Sequence, residues 1–75
     1  MIGKPQYYRA VVDCWRMFLK YLTPAMSGKV DWEALCKETL KVGRRHGESK
    51  FVKALIFAFV DEIERVEEAN GSKEN

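Results

Sequence analysis

Between Pro5 and Leu22 the chain confines its charged residues to one narrow stripe. They recur at intervals of four, three and four, as Arg9, Asp13, Arg16 and Lys20. At 3.6 residues per turn, such positions share one side of a helix. The other positions are largely apolar and form two rows. One row is Tyr8, Val11, Trp15, Phe18 and Leu22, and the other is Tyr7, Ala10, Cys14, Met17 and Tyr21. We therefore expect this helix to be buried on at least two sides.

Helix-start and helix-stop residues divide the chain into three helices. Pro5 suits a first helical position, and Thr23-Pro24 is expected to end helix 1, which gives helix 1 the range 5–22. Asp31 resembles an N-cap, and Val30 and Leu35 occupy the positions of a hydrophobic staple, so helix 2 is expected over residues 31–43. It continues to His46 if Gly47 rather than Gly43 is the stop.

The third helix is expected over residues 49–69, with Ser49 as its cap, and residues 70–75 are expected to fray. Its core stripe repeats at four, three, four and three, as Val52, Ile56, Phe59, Ile63 and Val66. After Val60 the charged residues are expected to face outward, namely Asp61, Glu62, Glu64, Arg65, Glu67 and Glu68. The expected buried face of helix 2 comprises Trp32, Leu35, Cys36, Thr39 and Leu40. These patterns predict one all-α domain over residues 1–75, a small three-helix bundle.

The apolar surface of helices 1 and 3 exceeds what a shared three-helix core needs. Chains of this size rarely build a sufficient core alone, and exposed aromatic residues dominate interfaces. We therefore expect a non-enzymatic protein that acts by protein–protein association, most simply as a homodimer that completes the bundle. The expected interface residues are Tyr8, Trp15, Phe18, Phe57 and Val60. A small adaptor or inhibitor of a larger protein is an alternative, because sequence does not separate a homotypic from a heterotypic surface.

Charge is divided unevenly along the chain. Residues 1–53 hold 11 Lys/Arg and 5 Asp/Glu, whereas residues 54–75 hold 2 and 6, so the two parts carry +6 and −4. A basic cluster surrounds the connection between helices 2 and 3, namely Lys41, Arg44, Arg45, His46, Lys50 and Lys53. It could bind nucleic acid or another polyanion through backbone contacts, or pair with the acidic end of another copy. Sequence-specific reading is not expected, since helix 3 is apolar and then acidic.

The sequence contains no clear pattern of catalytic, metal-binding or cofactor-binding residues, so we expect no enzymatic activity, no metal site and no cofactor. Cys14 and Cys36 fall in apolar helical rows, so both are expected to be reduced core thiols, and His46 is the only histidine. No pair of cysteines or histidines has zinc-ligand spacing. We expect no membrane association and a cytoplasmic location, because no secretory signal or apolar run of about 20 residues is present.

Overall fold

The computed structural model describes residues 4–71, which form three helices joined by two short turns. They are α1 (Lys4–Ala25), α2 (Trp32–Arg45) and α3 (Lys50–Gly71). No strand occurs in this range, and the expected all-α three-helix fold is confirmed. Asn70 and Gly71 belong to α3 rather than to a frayed tail, while residues 72–75 lie outside the described range.

The first helix continues beyond the expected stop at Pro24, which lies inside its last turn. A proline there removes only the bond to the carbonyl of Lys20, four residues earlier, and Lys20 is exposed to water. The helix ends at Ala25, and the turn that terminates it is closed by Gly28, whose φ is +68°. The N–H groups of Gly28 and Lys29 donate to the carbonyls of Ala25 and Pro24, at 3.0 and 2.9 Å, in a Schellman arrangement.

The second helix begins as expected at Asp31, whose Oδ1 accepts from the N–H of Ala34 at 3.0 Å. Its end is set by Gly47, with a φ of +67°, rather than by Gly43. The N–H groups of Gly47 and Glu48 donate to Arg44 and Gly43, which repeats the arrangement that ends α1. Helix α2 therefore ends two residues beyond the expected range of 31–43.

The third helix begins after Ser49, whose Oγ accepts from the N–H of Val52 at 3.2 Å, as expected for an N-cap. Helices α1 and α3 run parallel. The ring of Tyr7 contacts Phe51 near their starts, and Gly28 approaches Gly71 near their ends. Helix α2 runs antiparallel to both, because Trp32 lies near the end of α3 and Arg45 near the first half of α1.

The core lies between α1 and α3 and is covered on one side by α2. The buried residues are Ala10, Cys14, Met17, Tyr21, Ala25, Leu35, Val42, Val52 and Ile63. Four residues of the second apolar row of α1 are thus in the core, whereas the first row lies at or near the surface. Since α2 is shorter and covers one side only, the opposite side of the α1–α3 pair remains open.

Helix α2 buries a face that overlaps only in part with the expected one, because Cys36 and Leu40 do not belong to it. Leu35 and Val42, seven residues apart, are buried, and Trp32 is half-buried. Cys36 and Leu40 are exposed, because they lie roughly 100–150° around the helix from Leu35. The assignment of Cys36 to the core was therefore wrong.

Candidate functional site

One face of α1 is a continuous exposed apolar surface, which we call the α1 face. Its members are spaced by three, four and four residues and are Tyr8, Val11, Trp15 and Leu19, all exposed. Tyr8 is 72% exposed and Trp15 is 48% exposed. Asp13 and Lys20, which contact α2, lie on the other side of α1. The α1 face is therefore directed away from α2, on the uncovered side of the bundle.

An aromatic cluster supports the α1 face from below. The ring centroid of Phe18 lies 4.8 Å from that of Phe59 on α3, and the ring of Trp15 lies 5.7 Å from Phe18 and 6.5 Å from Phe59. Phe18 and Phe59 are half-buried. Such a cluster fixes the exposed indole of Trp15 against a rigid base, so that little side-chain freedom remains to be lost when a partner covers it.

The five expected interface residues do not form one surface. Tyr8, Trp15 and Phe18 belong to the α1 face and its support. Phe57, which is 78% exposed, lies roughly 160° around α3 from Phe59 and lines an apolar groove between α2 and α3.

That second surface is small. Phe57 shares it with Leu40, which is 57% exposed, and with Ile56 and Gly43. Val60 is half-buried and packs against the core, beside a shallow recess that also includes Phe57. The molecule therefore offers two apolar surfaces on different sides.

Two residues of the basic cluster form hydrogen bonds with α1. His46 Nε2 donates to Asp13 Oδ2 at 2.7 Å, and Arg45 Nη1 donates to the same oxygen at 3.2 Å. The side chains of His46 and Asp13 retain only 14% and 20% of their exposure, whereas that of Arg45 retains 60%. His46 therefore serves to hold the end of α2 against α1, while much of the Arg45 side chain remains open to solvent.

The pKa of Asp13 reflects this arrangement. Partial burial of the carboxyl group raises its pKa. The hydrogen bonds from His46 and Arg45 and the positive charges of these groups lower the pKa, and together they outweigh the effect of burial. The pKa of Asp13 therefore lies below the ordinary value of 3.8. The carboxyl group is therefore ionised near neutral pH. The sequence pattern placed Asp13 on the charged stripe of helix 1 and did not reveal this contact.

A groove of about 590 Å³ lies beside this contact, at the end of the bundle where α1 and α3 begin. We call it the basic groove. Arg9 and Arg16 of α1 line it together with Arg45, and neither pairs with a carboxylate within residues 4–71. Tyr7, Tyr8 and Phe51 supply aromatic walls. The sequence cluster omitted Arg9 and Arg16 because they lie on a different helix, and only the fold brings them to Arg45.

The other members of the basic cluster surround the same end of the molecule. Lys41, Arg44, Lys50 and Lys53 are all exposed, and none forms an ion pair with another described residue. Lys53 lines the groove that contains Phe57 rather than the basic groove. The cluster is therefore a broad basic surface around one defined groove.

The cysteines differ in environment. Cys14 is fully buried, and burial, assisted by the nearby charge of Asp13, raises the pKa of its thiol, as expected for a core cysteine. Cys36 is exposed on α2. In the described part of the chain, no three His, Cys, Asp or Glu side chains converge as ligands for a metal ion.

The described helices also lack any segment with the length and apolar character needed to cross a bilayer. Comparisons with protein family models, curated proteins and solved structures give no match to this chain. Its function is therefore inferred from the α1 face and the basic groove alone.

Proposed function

We propose that the protein acts without catalysis, by associating with a second copy of itself through the α1 face. The observation that carries the proposal is the unbroken exposed row of Tyr8, Val11, Trp15 and Leu19, which lies on the side of the bundle that α2 leaves uncovered. Contiguous apolar surface of this kind is typical of interaction sites in small proteins. Covering it would supply the burial that a short chain lacks.

The size of the uncovered side suits a dimer. Helix α1 spans about 33 Å, and the α1–α3 pair is about 19 Å wide, which is an interaxial distance of about 9 Å plus a helix radius of about 5 Å on each side. That side of the pair therefore measures roughly 600 Å². Two such sides would bury about 1,200 Å² together, which reaches the lower end of the range for specific interfaces. The area supports association of moderate affinity rather than a permanent complex.

The charge distribution favours a second copy as the occupant. Because α1 and α3 run parallel, their starts, with the basic groove, lie at one end of the bundle, and the acidic half of α3 lies at the other. A two-fold axis across the α1 face that makes α1 antiparallel to its counterpart would place each basic end beside the partner's acidic end. The same arrangement sets opposite helix dipoles side by side. A second copy of the chain supplies this charge complementarity by symmetry, whereas a heterologous partner would need its own acidic and basic regions at matching positions.

The test is the mass in solution of a variant in which Val11 and Leu19 are both replaced by Glu. Neither side chain belongs to the buried core, so we expect the variant to fold as a helical monomer of 8.7 kDa, whereas the natural sequence sediments at about twice that mass at micromolar concentration.

The matched control carries Leu40→Glu and Phe57→Ala, on the second apolar surface. These residues are at least as exposed as Val11 and Leu19, and we expect this variant to remain dimeric. A monomeric natural sequence would contradict the proposal. So would a monomeric control beside a dimeric Val11/Leu19 variant, which would place the interface at Phe57, one of the five residues expected from the sequence.

A further inference from the structure

The basic groove combines positive charge with exposed aromatic rings. Arg9 and Arg16, seven residues apart, stand about 10 Å from each other along α1, and Arg45 faces them from the end of α2. Asp13 is the only acidic residue among those that line the groove, and it is already engaged by His46 and Arg45. The lining therefore carries an excess of positive charge from guanidinium groups suited to phosphate.

The guanidinium group of Arg45, which α2 contributes to the groove, is held in position by Asp13. Arg45 uses one nitrogen for Asp13 at 3.2 Å, which leaves other donors of its planar guanidinium for a ligand. Because Asp13 also accepts from His46 at 2.7 Å, its charge is shared between two donors. The groove thus presents a pre-oriented arginine between two arginines that have no carboxylate partner among the described residues.

The aromatic residues narrow the class of ligand. Tyr7 packs edge-on against Phe51, with ring centroids 5.0 Å apart, and Tyr8 exposes 72% of its surface at the rim. Flat aromatic rings beside a row of cations are the elements with which proteins bind unpaired bases and the phosphates that join them. An acidic peptide would use the arginines but would leave the tyrosine rings without a stacking partner.

The surroundings favour an extended single strand over a duplex or a free nucleotide. Arg44, Lys41 and Lys50 continue the positive surface outside the groove, and the groove is open to solvent. A duplex would need a polar helix to enter its major groove, whereas α3 continues into acidic residues that repel phosphate. We infer that the basic groove binds single-stranded nucleic acid, without sequence preference, through Arg9, Arg16, Arg45 and the tyrosine rings.

The decisive experiment measures fluorescence anisotropy of a labelled oligothymidylate titrated with protein at several salt concentrations. We expect Arg9→Glu/Arg16→Glu to abolish binding at moderate salt. In the milder variant Arg9→Gln/Arg16→Gln, the slope of log affinity against log salt should fall by about 1.4, since each phosphate contact to a single strand contributes about 0.7.

The matched control is Lys29→Glu/Lys37→Glu, which changes the net charge equally at exposed positions away from the groove. It should retain binding and the natural salt slope. Tyr8→Ala should weaken binding about tenfold, whereas Tyr8→Phe should not, because stacking needs the ring and not the hydroxyl. The oligomeric state of each variant is measured on the same samples, so that loss of the dimer is not mistaken for loss of the groove.

Four results would overturn the inference. The first two are no binding by the natural sequence at low salt, and equal losses in the groove variant and its charge-matched control. The other two are equal affinity for a polyglutamate peptide of the same charge, and a duplex that competes as well as the single strand. The inference shares Tyr8 with the α1 face, but Arg9, Arg16 and Arg45 lie outside that face, so loss of binding in the arginine variants with the dimer retained separates the inference from the proposed dimer.

Discussion

The carboxylate of Asp13 illustrates how much of this molecule depends on single polar contacts. It joins the last turn of α2 to the first half of α1, and it also forms the inner wall of the basic groove. Because its side chain is largely shielded from water, the hydrogen bond from His46 contributes more than an exposed pair would. The contact with Arg45 is more exposed and contributes less.

Asp13 gives a prediction about acid stability. Its pKa is lowered in the folded state, so its stabilising contribution is complete above the unfolded-state pKa and is lost as the pH falls through the folded-state pKa. We expect Asp13→Asn to lower the free energy of unfolding by about 1–2 kcal/mol at neutral pH. The difference from the natural sequence should shrink steadily below about pH 4.

Urea unfolding at a series of pH values, followed by circular dichroism, measures this difference. Asp61→Asn is the control, because Asp61 pairs with Arg65 at the surface, where both side chains are more than half exposed. It should change the stability by less than about 0.5 kcal/mol. A penalty for Asp13→Asn that persists undiminished into strongly acidic solution would contradict the assignment.

Local features of the elements were predictable from the sequence, whereas contacts between elements were not. The caps at Asp31 and Ser49 satisfy N–H groups three residues away, so the nearby sequence determines them. The end of α1 was misplaced because Pro24 was treated as a stop, although a proline in the last turn sacrifices only one bond. Gly28 was visible in the sequence, but its role depends on a backbone φ that composition does not reveal.

Glu67 shows the same limit for the candidate sites. Its spacing on an amphipathic helix suggested a solvated side chain, yet it is half-buried, and it accepts from the N–H of Val30 at 2.8 Å and from Trp32 Nε1 at 2.9 Å. The periodicity of a single helix contains no information about neighbouring helices, so a charged residue on its polar side is interpreted as exposed to water. For the same reason, the basic cluster expected from the sequence did not include Asp13, Arg9 or Arg16.

The contact of Glu67 leads to a prediction about how α3 holds the start of α2. Glu67→Ala removes both acceptors and leaves two partly buried donors unpaired, which should destabilise the fold by about 1–3 kcal/mol. In a Trp15→Phe background, where Trp32 is the only tryptophan, the indole N–H resonance of Trp32 should move, and the exchange of this proton with solvent should accelerate.

Glu64→Ala is the comparison, since Glu64 is exposed on the same helix. It should leave the indole resonance in place. If Glu67→Ala left both the resonance and the stability unchanged, the link between α3 and the start of α2 would have to lie elsewhere.

At the scale of the whole molecule, the parallel course of α1 and α3 is the property with the widest consequences. The three helices alternate in direction along the chain, so the two longest helices point the same way and α2 lies antiparallel on one side. Both long helices therefore add their dipoles, and the basic groove and the acidic half of α3 lie at opposite ends. The protein is thus electrically polar along its long axis, which favours an antiparallel second copy.

This polarity leads to a prediction about the melting temperature, Tm. If folding and association are coupled, a tenfold rise in protein concentration stabilises the dimer by about 1.4 kcal/mol and should raise the Tm by about 3–5 °C. Added salt should lower the Tm at fixed concentration, because it screens the attraction between opposite ends. Val11→Glu/Leu19→Glu should melt at one temperature at all concentrations, and scanning calorimetry over a concentration series measures both effects. A Tm of the natural sequence that does not move with concentration would mean that the bundle is complete with one chain, despite the exposed α1 face.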